Sequence, residues 1–116
     1  MIKIKRVYVE KVQDDGKRYL VDRVWPRGIS KERAGIDGWL KELAPSTALR
    51  TWFSHDPEKW EEFKEKYRDE LSNPLLSDIL LQLREEASRS VVTLIYSAKD
   101  TKFNNAVCLK EILELG

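Results

Sequence analysis

The stretch Val91-Val92-Thr93-Leu94-Ile95-Tyr96 is a nearly continuous apolar run. It is too short for a helix, and it is rich in β-branched residues, which favour strands because they pack well on a pleated surface. A strand that is apolar on both faces is typical of the centre of a parallel sheet, where helices cover each side. The run therefore predicts a central, buried strand in an α/β fold.

Two further strands are predicted nearer the amino terminus. Residues 2–9 alternate and then become apolar, and residues 19–25 are apolar apart from one charged pair and end at Pro26, which cannot donate to a β-ladder. The link between them is open to two interpretations. The turn signal Asp14-Asp15-Gly16 favours an antiparallel hairpin, whereas a parallel pair needs a crossover, and only about nine residues are available for it.

Helices are predicted through the rest of the chain, where apolar residues recur at spacings of three and four. One helical segment is expected over residues 37–43, and a last helix after the central strand is expected to be capped by Asp100 or Thr101. The other helices are expected to start at Ser30, Ser46, Asp56-Pro57 and Asn73-Pro74. No repeat, low-complexity tract or linker appears, so the sequence predicts one domain over residues 1–116.

Composition argues against several classes of partner. The 116 residues are 41% hydrophobic and 35% charged, which indicates a folded protein with a well-solvated surface. The formal net charge of +1 makes nucleic-acid binding an unfavoured expectation. The charge is uneven, since residues 1–33 hold ten Lys and Arg against five Asp and Glu. A basic half of this kind can line an anion site, but an imbalance of this size is more typical of a solvated surface.

A single cysteine, Cys108, leaves no internal disulfide and no cysteine-based zinc site. It lies in an apolar helical pattern and is expected to be a small core residue. The chain has one histidine and no converging ligand spacing, so no metal and no cofactor are expected. No apolar run is long enough to span a bilayer and the first residues are unlike a signal peptide, so the expected location is the cytoplasm and no membrane partner is expected.

The first candidate cluster is the end of the second strand, residues 22–28. Asp22 and Arg23 are charged residues on an otherwise apolar strand, where burial is expensive unless the charges are paired. Arg27 and Gly28 follow in a turn, where a glycine backbone can approach a ligand closely. The alternative is structural: Asp22 pairs with an arginine and braces the loop.

The second candidate cluster follows the central strand. A strand end that leads into a helix presents free N–H groups and the positive end of the helix dipole, a combination that suits an anion. The alternative is ordinary capping with the lysines in solvent, because no glycine-rich phosphate-binding motif is present. The candidate residues are Ser97, Lys99, Asp100, Asn104 and Asn105.

The two clusters reinforce each other only if their strands run parallel as neighbours. Both loops then emerge at the carboxyl edge of the sheet, the usual ligand crevice of open α/β folds. If the strands are antiparallel, the loops lie at opposite ends. For catalysis, Asp22 and His55 are weak candidates for a base. For His55 the reason is that spacing identifies no partner for the histidine.

Several stretches of the chain resemble the YeaO-like branch of DUF488, a family of domains of unknown function. They are Leu20-Val21-Asp22-Arg23-Val24-Trp25-Pro26-Arg27-Gly28, Trp39-Leu40-Lys41-Glu42-Leu43-Ala44-Pro45-Ser46, Trp52-Phe53-Ser54-His55-Asp56-Pro57, Thr93-Leu94-Ile95-Tyr96-Ser97-Ala98-Lys99-Asp100 and Asn104-Asn105-Ala106-Val107.

The resemblance implies a compact α/β fold whose three strands form a parallel sheet, which favours the converging loops over the hairpin. It supplies no reaction. Longer relatives carry an Asp-x-Arg motif after the second strand, here present in shifted form as Asp22-Arg23, and a polar motif after the last strand, here Phe103-Asn104-Asn105. Relatives carry histidine where this chain has Phe103, and that departure weakens any proposal of acid–base catalysis in the final loop.

The elements and the resemblance together predict a single compact three-layer α/β domain with a small, mostly parallel three-stranded sheet covered by several helices. The favoured function is binding of a small anionic, phosphate-bearing or nucleotide-like ligand at the carboxyl edge of the sheet, with metal-independent hydrolase or transferase chemistry as an extension. The alternatives are a protein- or nucleic-acid-interaction module without catalysis and a regulatory or structural dimer. The sequence leaves the oligomeric state open.

Overall fold

The sheet of this protein contains four parallel strands. In the computed structural model, which describes residues 1–115, the strands lie in the order β1-β4-β2-β3 and every neighbouring pair is parallel. The predicted α/β class and parallel pairing are confirmed, whereas the predicted number of three strands is wrong. The strands are β1 (Ile2–Arg6), β2 (Lys17–Leu20), β3 (Gly38–Trp39) and β4 (Val92–Tyr96).

Strand β4 is the centre of the sheet, as its apolar sequence predicts. Leu94 lies beside Ile4 of β1 on one side and beside Tyr19 of β2 on the other. All five residues of β4 are buried. Because successive side chains point to opposite faces, Leu94 joins the larger core on one face while Ile95 joins a smaller core on the other.

The link between β1 and β2 is a crossover and not a hairpin. Both strands run parallel to β4, which lies between them, so the antiparallel alternative is wrong. The turn at Gln13–Asp15 directs the chain beneath the start of β4, where the N–H of Lys17 donates to the carbonyl of Val91 (3.1 Å). Gly16 makes this approach with φ of 62°, and a Cβ built on it would lie 2.2 Å from the Val91 carbonyl oxygen.

The strand that the sequence did not predict is β3. It lies within residues 37–43, the segment that was expected to be a helix. Asp37 fixes it to β2 in two ways, since its carboxylate accepts from the N–H of Arg18 (2.9 Å) and its own N–H donates to the Arg18 carbonyl (2.7 Å). Gly38 and Trp39 then pair with β2, and only Lys41–Leu43 forms a short 3-10 turn. Pairing with a distant strand therefore overrides the local helical pattern.

Strand β2 ends at Leu20, five residues before its predicted end at position 25. The N–H of Val21 still donates to the carbonyl of Ile95 (3.0 Å), and the chain then leaves the sheet. The charged side chains of Asp22 and Arg23 consequently lie in the loop beyond the strand.

Within residues 1–115, five α-helices surround the sheet. Two predicted starts are visible as side-chain caps: the hydroxyl of Ser30 accepts from the N–H of Arg33, and that of Ser46 accepts from the N–H of Leu49, both at 3.1 Å. The predicted starts at Asp56-Pro57 and Asn73-Pro74 are likewise present, each as a 3-10 turn that leads into a helix. The helices are α1 (Lys31–Ala34), α2 (Thr47–Phe53), α3 (Trp60–Leu71), α4 (Ser77–Arg89) and α5 (Asn105–Leu115).

The last helix, α5, begins later than the sequence indicated. Its cap is Asn104, whose side-chain oxygen accepts from the N–H of Val107 (3.0 Å). The expected caps, Asp100 and Thr101, lie in the preceding turn, which Asp100 closes by accepting from the N–H groups of Lys102 (2.8 Å) and Phe103 (3.0 Å).

A buried ion pair lies at the amino end of β2. The guanidinium of Arg18 is 0% exposed and donates to the carboxylate of Asp15 (2.6 Å) and to the carbonyls of Ala34 (2.7 Å) and Gly35 (3.1 Å). Lys5 pairs with the same carboxylate (2.9 Å). Burial by itself raises the pKa of Asp15, but hydrogen bonds from the Val12 N–H, Lys5 and Arg18 outweigh it and hold that pKa below its usual value.

No helix within residues 1–115 combines the length and apolar character that a membrane crossing requires.

Candidate functional site

A cavity of about 650 Å³ opens at the carboxyl edge of the sheet. Its walls come from the segments after β1, β2 and β4, from α2 and the residues on either side of it, from one residue of α3 and from the first residue of α5. The volume lies within the range of small-molecule sites, about 300–1,000 Å³. The predicted convergence of the two loops is therefore present in the structure.

Asp22 joins the two loops. One of its carboxylate oxygens accepts from both the N–H (2.9 Å) and the hydroxyl (2.7 Å) of Ser97. The other oxygen accepts from the side-chain amide of Asn105 (3.2 Å), which also donates to the carbonyl of Val21 (3.0 Å). Asp22 is thus a brace between the ends of two parallel strands, and it pairs with a hydroxyl and amides where the sequence analysis considered an arginine.

Arg23 lines the cavity and anchors a third wall. Its Nε and Nη2 donate to the carbonyls of Pro45 and Ala44, both at 3.2 Å. These bonds fix the segment that precedes α2. Within residues 1–115, the Nη1 group donates to no protein acceptor, so it stays available to a ligand.

Arg27 also lines the cavity, and its side chain is exposed. Its carbonyl accepts from the hydroxyl of Tyr8 (2.8 Å), which ties the turn to the end of the first strand. Gly28 does not line the cavity. It has φ of 75°, and an added Cβ would meet nothing within 4 Å, so the turn requires glycine for its backbone conformation and not for space.

The second cluster is only partly at the cavity. Ser97 and Asn105 line it, whereas Lys99, Asp100 and Asn104 do not. Asp100 closes a turn, and the hydrogen bonds from the N–H groups of Phe103 and Lys102 lower the pKa of its carboxyl. Asn104 is 2% exposed and donates to the Asp100 carbonyl (2.9 Å) while capping α5. For Asp100 and Asn104, turn formation and capping account for the polar side chains.

His55 lies on the wall of the same cavity as Asp22. Directly after α2, two consecutive residues have a left-handed backbone conformation, with φ of 49° at Ser54 and 58° at His55. Such conformations are costly for residues other than glycine and are concentrated at functional sites. The histidine side chain is exposed, and its ring centroid lies 6.2 Å from that of Phe53.

Helix α2 supplies site residues that the sequence analysis missed. Arg50 and the hydroxyl-bearing residues Thr47 and Thr51 line the cavity. Arg50 and Thr51 lie three and four positions after Thr47, so the three residues form the polar face of a helix whose Leu49 and Phe53 are buried. This periodicity was visible in the sequence, but which surface the polar face would meet depends on the fold.

Positive charge dominates the cavity. Three guanidinium groups, those of Arg23, Arg27 and Arg50, line it together with one carboxylate, that of Asp22. The five ion pairs among residues 1–115 involve none of the three arginines. Cations without a carboxylate partner at a concave surface attract anions, because the cavity concentrates their field.

The cavity contains no reactive thiol. Cys108 is buried in α5, and burial raises its pKa to about 12, as expected for a core residue. In the part of the chain that the structure describes, no three His, Cys, Asp or Glu side chains are grouped closely enough to hold a metal ion.

Comparison with known proteins identifies relatives along nearly the whole chain. A family model described as "Inactive DUF488-N3 subclade" matches residues 1–115. The uncharacterised protein YeaO of Escherichia coli (strain K12) is 42% identical over 112 residues, which cover 97% of this chain and 96% of the relative. The uncharacterised protein Rv3073c of Mycobacterium tuberculosis (strain H37Rv) is 39% identical over 112 residues, covering 97% and 92%. No solved structure matches the chain significantly.

Proposed function

We propose that this chain, which belongs to the DUF488 family in its YeaO-like branch, binds a small phosphate-bearing anion in the cavity at the carboxyl edge of the sheet. In this proposal the anion is bound without being chemically changed. The observation that carries this proposal is the set of three arginines that line the cavity and, among residues 1–115, form an ion pair with no carboxylate.

The geometry of an arginine side chain is well suited to binding a phosphate group. A planar guanidinium donates two parallel hydrogen bonds to two phosphate oxygens, and charge-assisted bonds of this kind are stronger than neutral ones. The hydroxyls of Thr47 and Thr51 add neutral donors at the same wall. In this proposal, Arg27 and Arg50 bind the anion directly, and Arg23 contributes its remaining Nη1.

Binding without turnover is the form of the proposal that the candidate catalytic groups support. Both oxygens of Asp22 accept hydrogen bonds from Ser97 and Asn105, so this carboxylate is engaged in bracing the loops. His55 can donate to an anion, but within residues 1–115 its ring makes no hydrogen bond or ion pair with a carboxylate of the kind that activates a histidine base. The description of the matching subclade as inactive agrees with this form.

The test is a titration with phosphate-bearing probes, followed by thermal unfolding and calorimetry. Inorganic phosphate and ribose 5-phosphate are expected to stabilise the protein, because a ligand that binds only the native state raises its stability by mass action. Arg27→Ala and Arg50→Ala are each expected to weaken binding about tenfold or more, since a charge-assisted hydrogen bond contributes about 1.5–3 kcal/mol. Nuclear magnetic resonance of the bound probe should show it unchanged after prolonged incubation.

The matched control is Arg89→Ala, which removes the same charge from an exposed position at the end of α4, away from the cavity. This variant is expected to bind the probes like the wild type. If Arg89→Ala weakens binding as much as Arg27→Ala does, the effect reflects net charge and the cavity is not the site. If no phosphate-bearing probe binds, the proposal is wrong.

A further inference from the structure

The cavity is larger than an anion needs. One water molecule occupies about 30 Å³ in the liquid, so an inorganic phosphate, with five heavy atoms, fills a small part of about 650 Å³. The remaining wall contains aromatic side chains, which a phosphate group does not use. They are Tyr8, Trp25, Phe53 and Phe63.

Two of these rings are held in place by their polar atoms. The indole N–H of Trp25 donates to the carbonyl of Ile29, and the hydroxyl of Tyr8 donates to the carbonyl of Arg27, both at 2.8 Å. The two carbonyls flank Gly28, so a single turn fixes both rings and also carries the Arg27 side chain. The aromatic surface and the proposed anion-binding group are therefore parts of one preorganised unit.

Further contacts fix the orientation of the rings. Trp25 packs against Trp39 with centroids 5.4 Å apart and planes at 68°, an edge-to-face pair. The guanidinium of Arg6 lies over Tyr8, 4.9 Å from the ring centroid, and also donates from Nε to the carbonyl of Ala98 (2.8 Å). These contacts order the rings before a ligand binds. Stacking of a flat ligand group on them therefore costs little side-chain entropy, which is the benefit of preorganisation.

The deeper wall is apolar. Phe53 and Phe63 are 5% and 2% exposed, and their rings stack with centroids 4.4 Å apart. They make this part of the wall apolar and supply no hydrogen-bonding group. An apolar wall opposed by a few polar donors is the usual lining of a site for an aromatic small molecule.

From this juxtaposition we propose that the ligand carries a flat aromatic ring joined to its phosphate group, as in a nucleoside monophosphate. The inference rests on the proposed function, since the arginines hold the phosphate, and it adds that the rings of Trp25 and Tyr8 bind the aromatic group. The same chemistry occurs in free mononucleotides and at the 5′-phosphorylated end of a nucleic-acid strand.

The experiment compares four probes by calorimetry: inorganic phosphate, ribose 5-phosphate, adenosine 5′-monophosphate and unphosphorylated adenosine. The expected result is that the monophosphate binds at least tenfold tighter than ribose 5-phosphate, and that adenosine binds weakly. Cytidine, guanosine and uridine monophosphates complete the set, because the cavity lining does not specify the base. On binding, the base protons should move upfield in the nuclear magnetic resonance spectrum, as stacking on an aromatic ring requires.

Two variants separate the ring from the phosphate group. Tyr8→Leu removes an exposed ring, and Trp25→Leu removes a half-buried one, so the first serves if the second fails to fold. Because both side chains also anchor the turn that carries Arg27, each variant is expected to lower the affinity for the nucleotide at least threefold more than it lowers the affinity for ribose 5-phosphate. Tyr8→Phe keeps the ring, so it should retain the preference for the nucleotide.

The outcomes distinguish this inference from the proposed function. If all four nucleotides bind no better than ribose 5-phosphate, the aromatic inference is wrong and phosphate binding stands. If no phosphate-bearing probe binds, both are wrong. A 5′-phosphorylated trinucleotide that binds as tightly as the mononucleotide supports recognition of a strand end, and one that binds at least tenfold more weakly supports a free nucleotide.

Discussion

The hydroxyl oxygen of Ser97 lies 2.7 Å from a carboxylate oxygen of Asp22, although 75 positions of sequence separate the two residues. The contact joins the loop after β2 to the loop after β4 and thereby forms one side of the cavity. Three donors converge on this single carboxylate, two of them from Ser97 and one from Asn105.

Removing this carboxylate is expected to destabilise the protein. Asp22→Ala leaves three donors without their acceptor, and hydrogen bonds to a charged group contribute about 1.5–3 kcal/mol each, with incomplete additivity. We expect a loss of about 2–4 kcal/mol in the free energy of unfolding, measured by urea denaturation. Ser97→Ala, which keeps the backbone donor, should cost about 1 kcal/mol. An unchanged denaturation midpoint for Asp22→Ala would show that the brace contributes nothing.

The buried pair of Asp15 and Arg18 predicts a loss of stability in acid. Because the pKa of Asp15 is lower in the folded protein than its ordinary value of 3.8, its contribution is fully present above that value. It is lost as the pH falls below 3.8 and through the folded pKa. Titration of the Asp15 carboxyl carbon by nuclear magnetic resonance should give a midpoint below 3.8, and a midpoint at or above 3.8 would contradict the assignment.

Arg18→Met tests the same cluster at neutral pH. The guanidinium satisfies Asp15 and two backbone carbonyls, so its removal leaves buried acceptors without donors. Breaking a buried pair on one side costs about 3–5 kcal/mol. The control is Arg33→Met on α1, whose exposed side chain should be replaceable within about 0.5 kcal/mol. Equal denaturation midpoints for the two variants would contradict the prediction.

Two glycines with positive φ are expected to respond very differently to alanine. Gly28→Ala should cost about 1–2 kcal/mol, the strain of a left-handed residue, because nothing lies within 4 Å of the new Cβ. Gly16→Ala should be much worse, since its Cβ would lie 2.2 Å from the backbone oxygen of Val91 and force β2 and β4 apart. Thermal unfolding of both variants provides the comparison, and similar melting temperatures would contradict it.

Cys108 is expected to react only when the protein opens. Its 0% exposure and a pKa raised by burial to about 12 leave almost no accessible thiolate at neutral pH. The rate of labelling by a thiol reagent should therefore rise with urea in parallel with the unfolded fraction. Rapid labelling in the absence of urea would show that α5 opens locally.

Features set by neighbours in sequence were predictable. The helix starts at Ser30 and Ser46 are examples, because a capping side chain contacts an N–H only three residues away. The central strand was also predictable, since burial on both faces leaves a continuous apolar run. The family resemblance, and not the local pattern, favoured the parallel arrangement of the first two strands.

Features set by distant partners were not predictable. The helical pattern of residues 37–43 gives way to β3 because Asp37 and Gly38 meet β2. Asp100 was predicted at the site, but whether the loop after β4 brings it to the cavity depends on how that loop lies against the rest of the fold, and here Asp100 closes a turn and does not line the cavity. Arg50 was missed because its role depends on where the polar face of α2 lies in the fold.

The position of β4 in the chain has a consequence for synthesis. Strand β1 pairs with β4 alone, and β2 has only the two residues of β3 on its other side. On the ribosome, β1 and β2 are therefore made long before residues 92–96 emerge to join them. Folding of the sheet must wait until residues 92–96 have emerged, and until then the nascent chain exposes strand edges that chaperones or other nascent chains can bind.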